Sequence, residues 1–549
     1  MRISMSYTCL VAALACAAPL GARVLPSITS QTTPTQEQRP AGLPSDAVLQ
    51  ETKAVIGRID FDAINLFDTT RAEENTSLFR LANRAHISTR EHTVEKQLLF
   101  KSGDVYDSRL LEESERILRT TRYLLDAHIR PVAYHDGIVD IEVTTQDVWT
   151  FNPSVTFGRK GGVNSSGFEL QELNLLGLGT QLGVGFKSNV DRDSKFIQYR
   201  DRHVGSSWWE VAGRYANNSD GRLTELAAQH PFYALDTRRA GGVVLSDDQR
   251  IDSRYDLGEI TDQYATHAKL ATAWWGASNG LRDGWTRRWS LGITRDEHTF
   301  DTLANTLLTP ADRRLTYPWV AAEWLQDDFH TERNRDQIDR TEDYSLGWHV
   351  RTQVGYASSS LGSDRNAVVF QGSATKGMRL SDRQTVLLDA YTDGRYERGG
   401  FAGTQTGGQL RWYLRESPKH LSFMTISADV GSRLDTDQQI LLGGETGLRG
   451  YPLRYQNGKG RWLFTAEQRY FSDWFPFRLV NVGAAAFFDA GGTWGGSSQG
   501  KLEDFGLGLR LGGNRSAEGN VVHVDLAYPL DGDRSVKKLQ LTIETRHRF

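Results

Sequence analysis

The last eleven residues, "LQLTIETRHRF" (539–549), alternate between two kinds of side chain. In an extended chain the two kinds lie on opposite faces. One face carries Leu539, Leu541, Ile543, Thr545, His547 and Phe549, and the other carries Gln540, Thr542, Glu544, Arg546 and Arg548. Alternation with a period of two is typical of a β-strand that has one apolar face. This stretch therefore predicts a strand between an apolar and a polar environment.

Segments of about ten residues with the same alternation recur back to Phe151. Examples are "WWEVAGRYANN" (208–218), "THAKLATAWWGAS" (266–278), "QTVLLDAYTDG" (384–394) and "VVHVDLAYPL" (521–530). Counting such segments gives about twenty strands. Long charged connections, "TFDTLANTLLTPADRRLTYP" and "DDFHTERNRDQIDRTED", alternate with tight ones. We therefore predict that residues 151–549 form a transmembrane antiparallel β-barrel with two unlike rims.

Composition supports a barrel over other membrane folds and excludes one class of partner. The mean hydropathy is −0.48, and beyond the N-terminal region no uninterrupted apolar run is long enough for a membrane-spanning helix. The 64 basic and 68 acidic residues are balanced, so the chain lacks the excess of positive charge that nucleic-acid binding requires. We expect a lipid bilayer as partner and no nucleic acid.

The N-terminal 54 residues predict an export signal followed by a leader. Residues 1–22 combine a basic Arg2 with a short apolar run and small residues near Ala18, as in a signal peptide. Residues 23–54 are rich in Ser, Thr, Gln and Pro, which predicts a flexible segment. The two cysteines, Cys9 and Cys16, both lie in the signal. We therefore expect neither disulfides nor thiolate metal ligands in residues 23–549.

Residues 55–150 predict a small α+β domain. Ile59, Phe61 and Ala63 share one face of a first strand, and a polar connection follows. Residues 89–100 and 107–125 predict helices, the second capped by Asp107 or Ser108. Residues 126–149 predict a hairpin that turns at Asp136-Gly137.

A glycine-rich loop, "ILLGGETGLRGYPLRYQNGKG" (440–460), places Arg449 just before two predicted strands. Strand alternation turns Glu467 of "RWLFTAEQRYF" and Asp489 of "NVGAAAFFDAGGTW" to the polar face, which is the barrel lumen. A guanidinium that folds inward can bond both carboxylates, so we predict that these three residues lock the loop inside the barrel. The alternative is a mobile external loop with an incidental arginine.

Three separated motifs resemble the BamA/TamA superfamily of outer-membrane assembly factors. They are "GGETGLRGYP" (443–452), "FFDAGGTW" (487–494) and "ELNLLGLGTQLGVGF" (172–186). The first would form the family's loop motif with Gly443, Gly444, Leu448, Gly450 and Tyr451. In addition, residues 55–150 resemble a periplasmic POTRA domain, and the terminal Phe549 resembles the assembly signal of outer-membrane barrels. The family usually has sixteen strands and more than one POTRA domain.

The resemblance implies a function. In this family the first and last strands meet at a weak seam where client strands are templated or a polypeptide is passed. Here the seam residues would include Ser154 and Phe157 on the first strand and Leu541, Ile543 and Phe549 on the last. We therefore expect insertion of outer-membrane proteins or translocation of secreted polypeptides. Residues 23–150 would lie in the periplasm, with unfolded clients and a periplasmic partner as ligands.

Two other functions fit a barrel of this composition. One is a passive outer-membrane pore or binding barrel, and the other is an outer-membrane lipase. "GSSQG" (496–500) matches the hydrolase pattern, but Ser498 lacks the strand and helix that a nucleophile elbow needs. The histidines show no metal-binding spacing, and the glycine-rich loop lacks a phosphate-binding lysine. We expect no enzyme activity, no cofactor and no metal.

Overall fold

The computed structural model describes residues 40–546 except 41, 68, 71, 73, 339, 477–478, 497–499, 514–520 and 533–535. Within these residues, twenty antiparallel strands form a closed barrel. In chain order they are β4 (Phe151–Lys160), β5 (Val163–Leu175), β6 (Thr180–Ser188), β7 (Asp193–Asp201), β8 (Glu210–Asn218), β9 (Gly221–His230), β10 (Arg239–Asp256), β11 (Glu259–Arg282), β12 (Trp285–Thr302), β13 (Arg313–Gln326), β16 (His349–Ala357), β17 (Ala367–Ser381), β18 (Gln384–Glu397), β19 (Gly400–Ser417), β20 (His420–Ser432), β23 (Gly460–Phe471), β24 (Asn481–Trp494), β25 (Gly500–Gly512), β26 (Val521–Pro529) and β27 (Gln540–Arg546).

The predicted barrel is confirmed, with the strand number reached by counting segments rather than the sixteen that the resemblance implies. Consecutive barrel strands are neighbours around the whole wall, and β27 closes it against β4. The predictions for residues 1–39, which include the signal and most of the leader, and those for Ser498 and Phe549 lie outside the described residues.

An α+β module, residues 46–147, precedes the barrel. Its sheet has the order β1 (Val55–Ile64), β3 (Ile138–Asp147), β2 (Leu124–His135), with β1 and β3 parallel. The described residues of the module also form four helices: α1 (Asp46–Glu51), α2 (Ser77–Ala85), α3 (Glu91–Glu95) and α4 (Ser108–Arg119). One core joins α4 to the sheet through Leu111, Leu118, Ile129, Val139 and Ile141.

The module follows the predicted order, with differences at its helices. Helix α1 lies within residues 23–54, which were predicted to be a flexible leader, and its Leu49 is buried in the module core. The helix predicted over 107–125 ends at Arg119. The hairpin turns at Asp136 and Gly137, both at positive φ, and Asp107 caps α4 by accepting a hydrogen bond from the Arg109 N–H. The helix predicted over 89–100 is only Glu91–Glu95. The segment expected to be a polar connection contains α2, whose leucines were not recognised because they do not face the module core.

The two long connections lie on opposite rims, which corrects the expectation that one rim carries both. We call the rim where β4 begins the module-side rim and the other the far rim. The connection 303–312 joins β12 to β13 at the far rim, whereas 327–348 joins β13 to β16 at the module-side rim. The second connection is a hairpin formed by β14 (Phe329–Arg333) and β15 (Thr341–Ser345).

The outer face of the barrel is apolar. Along β25, Phe505, Leu507 and Leu509 are exposed, while Asp504 and Arg510, which flank them, are buried in the lumen. This alternation is typical of a wall with lipid outside and a polar interior. Within the part of the chain that the structure describes, no helix has the length and apolar character needed to cross a bilayer.

The module is held against its rim by buried ion pairs. Arg119 donates from Nε and Nη2 to both oxygens of Asp343 in the hairpin, at 2.7 and 2.6 Å. Burial alone would lower the pKa of Arg119, but its hydrogen bonds and charge pairing with Asp343 outweigh burial and raise that pKa. Nearby, the Arg116 guanidinium lies 3.8 Å from the Phe329 ring centroid. The hairpin is therefore joined to the module as well as to the barrel.

Candidate functional site

The Arg449 loop, residues 433–459, joins β20 to β23 from the far rim. Its two arms pair as short strands β21 (Ile440–Leu442) and β22 (Gln456–Gly458). This pairing makes the loop a hairpin whose tip carries Arg449. Leu448 and Tyr451 at the tip are fully buried, together with Leu442 and Leu502. The tip is thus packed inside the barrel.

Arg449 binds three acidic side chains of the lumen wall. Its Nε and Nη2 donate to the two oxygens of Asp489 at 2.7 and 3.0 Å, a bidentate pair. Its Nη1 lies 3.4 Å from Glu467 Oε1 and 3.3 Å from Asp525 Oδ2. The guanidinium also stacks 3.4 Å from the centroid of the Phe487 ring. The structure therefore brings together the three residues predicted to lock the loop.

The third acid, Asp525, lies on β26 and is not among the site residues predicted from the sequence. In "VVHVDLAYPL", strand alternation places His523 and Asp525 on the polar face. The alternation that puts Glu467 and Asp489 in the lumen therefore puts Asp525 there too. Two wall arginines complete the network. Arg510 pairs with Asp525 at 2.5 Å and with Glu467, and Arg469 Nε donates to Glu467 Oε2 at 3.0 Å. Glu467, Asp489 and Asp525 thus each have a cationic partner, as burial of charge requires.

The loop motif residues approach the wall closely. Gly450 N–H donates to Asp504 Oδ2 at 3.0 Å, and Tyr451 Oη donates to the Glu503 carbonyl at 2.8 Å. Gly443 N–H is held by Thr446 Oγ1 at 2.8 Å within the tip. At Gly444, an added Cβ would lie only 2.9 Å from the Gly161 nitrogen in the β4–β5 turn. Glycine is required there because the two backbones touch.

Replacing Gly450 with alanine is expected to displace the tip. The new Cβ would lie 2.7 Å from Asp504 Cβ, which belongs to the wall and cannot swing away. Overpacking of this kind costs about 1–3 kcal/mol. Denaturant unfolding of the protein in detergent should show this loss. Gly372→Ala is the matched control, because the nearest atom there is 3.5 Å away. Equal stability of the two variants would contradict the close approach.

The base of the Arg449 loop is bound by ion pairs to wall strands β13 and β18 and to the β6–β7 turn. Arg313 on β13 lies 2.9 Å from Asp435 and 3.3 Å from Asp437. Arg395 on β18 donates to both oxygens of Asp435 at 2.9 Å. Arg454 forms a bidentate pair with Asp191 at the far rim, also at 2.9 Å. The loop therefore spans the lumen, with ion pairs at both ends.

The first and last strands form a narrow junction. Among the described residues, Ile543 and Arg159 are the one pair in register between β27 and β4, whereas β4 pairs with β5 along all ten of its residues. A side-chain pair, Lys160 with Glu544, reinforces the junction. A strand edge with few ladder hydrogen bonds is the weakest place in a closed sheet.

The predicted seam residues lie on different faces of the barrel wall. Ser154 faces the lumen side of β4, and Phe157 and Leu541 are exposed on the outer face. Ile543 is the residue in register with Arg159. The Arg449 loop touches this junction from inside, since Thr542 Oγ1 of β27 donates to the Arg449 carbonyl at 3.5 Å. Loop tip and junction are therefore in direct contact.

The hairpin at 327–348 fills the lumen from the other rim. Ile338, Tyr344 and Leu346 pack in one buried cluster with wall residues from β18, β19, β20, β23 and β26: Leu387, Tyr413, Leu421, Phe423, Phe471 and Val521. Arg335 stacks on the rings of Tyr344 and Tyr413, with 4.4 and 3.9 Å to the centroids. The sequence predicts this segment only as a long charged connection between strands.

Arg469 joins the two inserted segments. Its Nη1 donates to the Arg335 carbonyl of the hairpin at 2.9 Å, and its Nε binds Glu467, which also contacts Arg449. A chain of contacts thus runs from the hairpin to the loop, through Arg335, Arg469, Glu467 and Arg449. Displacing either segment would leave buried charge on Glu467 or Arg469 incompletely paired.

Comparison with known proteins finds structural likeness only. No protein-family model matches the chain, and no curated protein matches it. BamA from Haemophilus ducreyi lacking POTRA domains 1-3 is 13% identical, with a TM-score of 0.36 over 90% of this chain and 85% of that one. CdiB from Acinetobacter baumannii is 14% identical, with a TM-score of 0.40 over 89% of this chain and 74% of that one. CdiB from Escherichia coli is also 14% identical, with a TM-score of 0.45 over 89% of this chain and 76% of that one. Likeness at this level assigns no role to individual residues.

Proposed function

We propose that this chain is an outer-membrane assembly or translocation barrel of the BamA/TamA type, with the module as a POTRA-like domain in the periplasm. The observation that carries the proposal is the position of Arg449. It is held by acids from β23, β24 and β26, while its own carbonyl contacts Thr542 of β27. The loop therefore connects a buried ion-pair network of the wall to the weakest junction.

The seam supplies the chemistry that such a function needs. When β4 and β27 part, their backbone N–H and C=O groups lose partners, and a client strand can satisfy them by adding to either edge. Among the described residues, the paired contacts that must open include one residue pair in register, Ile543 with Arg159, and one ion pair, Lys160 with Glu544. The docked loop keeps the inner side of the junction covered until the client arrives.

The module offers a second strand edge for an unfolded client or a periplasmic partner. β1 is an outer strand of the sheet, and residues 103–106 cover its edge only at Val55 and Ile56. The opposite edge, on β2, is partly occupied because Glu115 accepts a hydrogen bond from the Ile129 N–H at 2.6 Å. Strand addition is therefore proposed on β1 beyond Ile56.

Locking the seam should abolish the activity. Arg159→Cys with Ile543→Cys places a disulfide across the junction, since these residues are in register and residues 23–549 contain no cysteine. We expect oxidised protein in vesicles to lose insertion of a barrel client, and reductant to restore it.

The control is Phe157→Cys with Ser166→Cys, which links β4 to its other neighbour, β5. Oxidation of this pair should leave insertion unchanged. Full insertion with the seam oxidised would reject lateral opening. In that event, surface exposure of a soluble passenger in the same vesicles would indicate passage through the lumen.

A passive pore is the competing function, and the packing of the lumen opposes it. The Arg449 loop enters from the far rim and the hairpin from the module-side rim, both through buried contacts. A constitutive channel would need a continuous aqueous path past both. We therefore expect low steady conductance from the intact protein in planar bilayers.

A further inference from the structure

Helix α2 presents leucines to solvent. Leu78 and Leu81 are 66% and 62% exposed and, three residues apart, lie on the same face. Ile87, just beyond the helix, is also exposed. The helix is held from its other side, where Phe79 stacks on Phe67 with 4.0 Å between ring centroids. Exposed leucines on adjacent turns of a well-packed helix indicate a surface that meets something apolar.

The helix lies at the rim, beside the first barrel strand. Phe67 and Phe79 pack with Trp149, two residues before β4 begins. Asn83 ties the helix to this cluster through its Nδ2, which donates to the Phe67 carbonyl at 2.9 Å. Further on, the Arg90 N–H donates to the Gly177 carbonyl in the β5–β6 turn at 3.1 Å. The segment 77–90 is thus fixed at the base of β4 and β5.

The apolar surface continues onto the barrel. Leu176 and Leu178 in the β5–β6 turn are exposed on either side of Gly177. Phe151, at the start of β4, is exposed on the outer face of the barrel. The segment 77–90 therefore meets the barrel beside exposed residues of its apolar outer face.

The charge of the segment suits a phosphate-rich surface. Residues 77–90 contain three arginines, Arg80, Arg84 and Arg90, and no Asp or Glu. All three side chains are exposed. Leucines on one face with arginines beside them are typical of helices that lie in the membrane interface, with cations at the headgroup phosphates.

We infer that α2 lies in the headgroup layer of the periplasmic leaflet, beside the seam, with Leu78 and Leu81 among the acyl chains and the arginines at anionic lipid phosphates. This inference rests on the membrane-barrel part of the proposed function. It fixes the module to one side of the barrel, under β4, where a client strand would approach the seam.

Spin-label depth measurements test the inference on the full chain. Leu78→Cys, labelled with a nitroxide, is placed in vesicles of phosphatidylethanolamine and phosphatidylglycerol. We expect oxygen to relax the label several-fold more effectively than a water-soluble nickel complex. Ile138→Cys is the solvent control: it is exposed at the start of β3, nine residues or about 30 Å along the strand from the barrel end. Leu507→Cys, on the outer wall, is the lipid control.

The controls separate the two possible failures. If Leu507 reports lipid and Leu78 reports water like Ile138, the helix does not touch the membrane and the inference fails alone. If Leu507 also reports water, the membrane barrel itself is wrong. Arg80→Gln with Arg84→Gln should move the Leu78 label toward water, as should vesicles without phosphatidylglycerol. An unchanged depth in both would overturn the role of anionic lipid phosphates.

Discussion

Arg449→Ala is expected to release the loop from the lumen. The substitution leaves Asp489, Glu467 and Asp525 buried with one cationic partner fewer. Removing one partner of a buried ion pair costs about 3–5 kcal/mol. We expect that loss in denaturant unfolding in detergent. We also expect trypsin to cleave after Arg454, a buried residue of the same loop, in folded protein.

Two variants determine whether the geometry or only the charge of Arg449 matters. Arg449→Lys keeps the charge but cannot bond Asp489 with two parallel N–H groups, so its loss should be intermediate. Arg287→Ala removes an exposed arginine from β12 and should change neither stability nor cleavage. If Arg449→Ala behaved like Arg287→Ala, the buried tether would not hold the loop.

Replacing residues 329–345 with a short Gly-Ser linker is expected to open the lumen from the module-side rim. The change removes β14, β15 and the cluster around Ile338 and Tyr344. It also removes Asp343, to which Arg119 of the module is bound. Planar-bilayer recordings should show steady conductance many times that of the intact protein, because one of the two segments packed in the described part of the lumen is then gone.

Shortening the connection 303–312 is the matched control, since it lies at the far rim between β12 and β13. That variant should conduct like the intact protein. Asp343→Asn supplies a finer test: it should loosen the module while leaving the packed hairpin and the low conductance in place. A linker variant with unchanged conductance would show that the hairpin does not occlude the lumen.

The barrel and much of the lumen could be predicted because both follow from alternation. A period of two identifies a strand and also assigns each side chain to a face, so the sequence alone places Glu467 and Asp489 in the lumen. Segment counting gave the strand number because tight turns separate strands even where each strand is weakly apolar. The same alternation in β26 also places Asp525 in the lumen, with the other two acids that bind Arg449.

What could not be predicted depends on contacts between distant segments. The hairpin at 327–348 is as charged as an exposed loop, because its arginines and acids pair with partners far away in sequence, such as Arg415 and Arg469. Helix α2 was missed for a related reason. Its leucines point away from the module core, so it lacks the buried apolar stripe by which a helix is recognised.

The central claim is that the Arg449 tether controls the junction between β4 and β27. Nitroxide labels at Phe157→Cys and Leu541→Cys, both on the outer face, report that junction by pulsed electron resonance in vesicles. The account predicts one narrow distance in the otherwise unmodified protein, and a broad distribution extending to longer distances when Arg449→Ala is added. The same narrow distance in both proteins would contradict it.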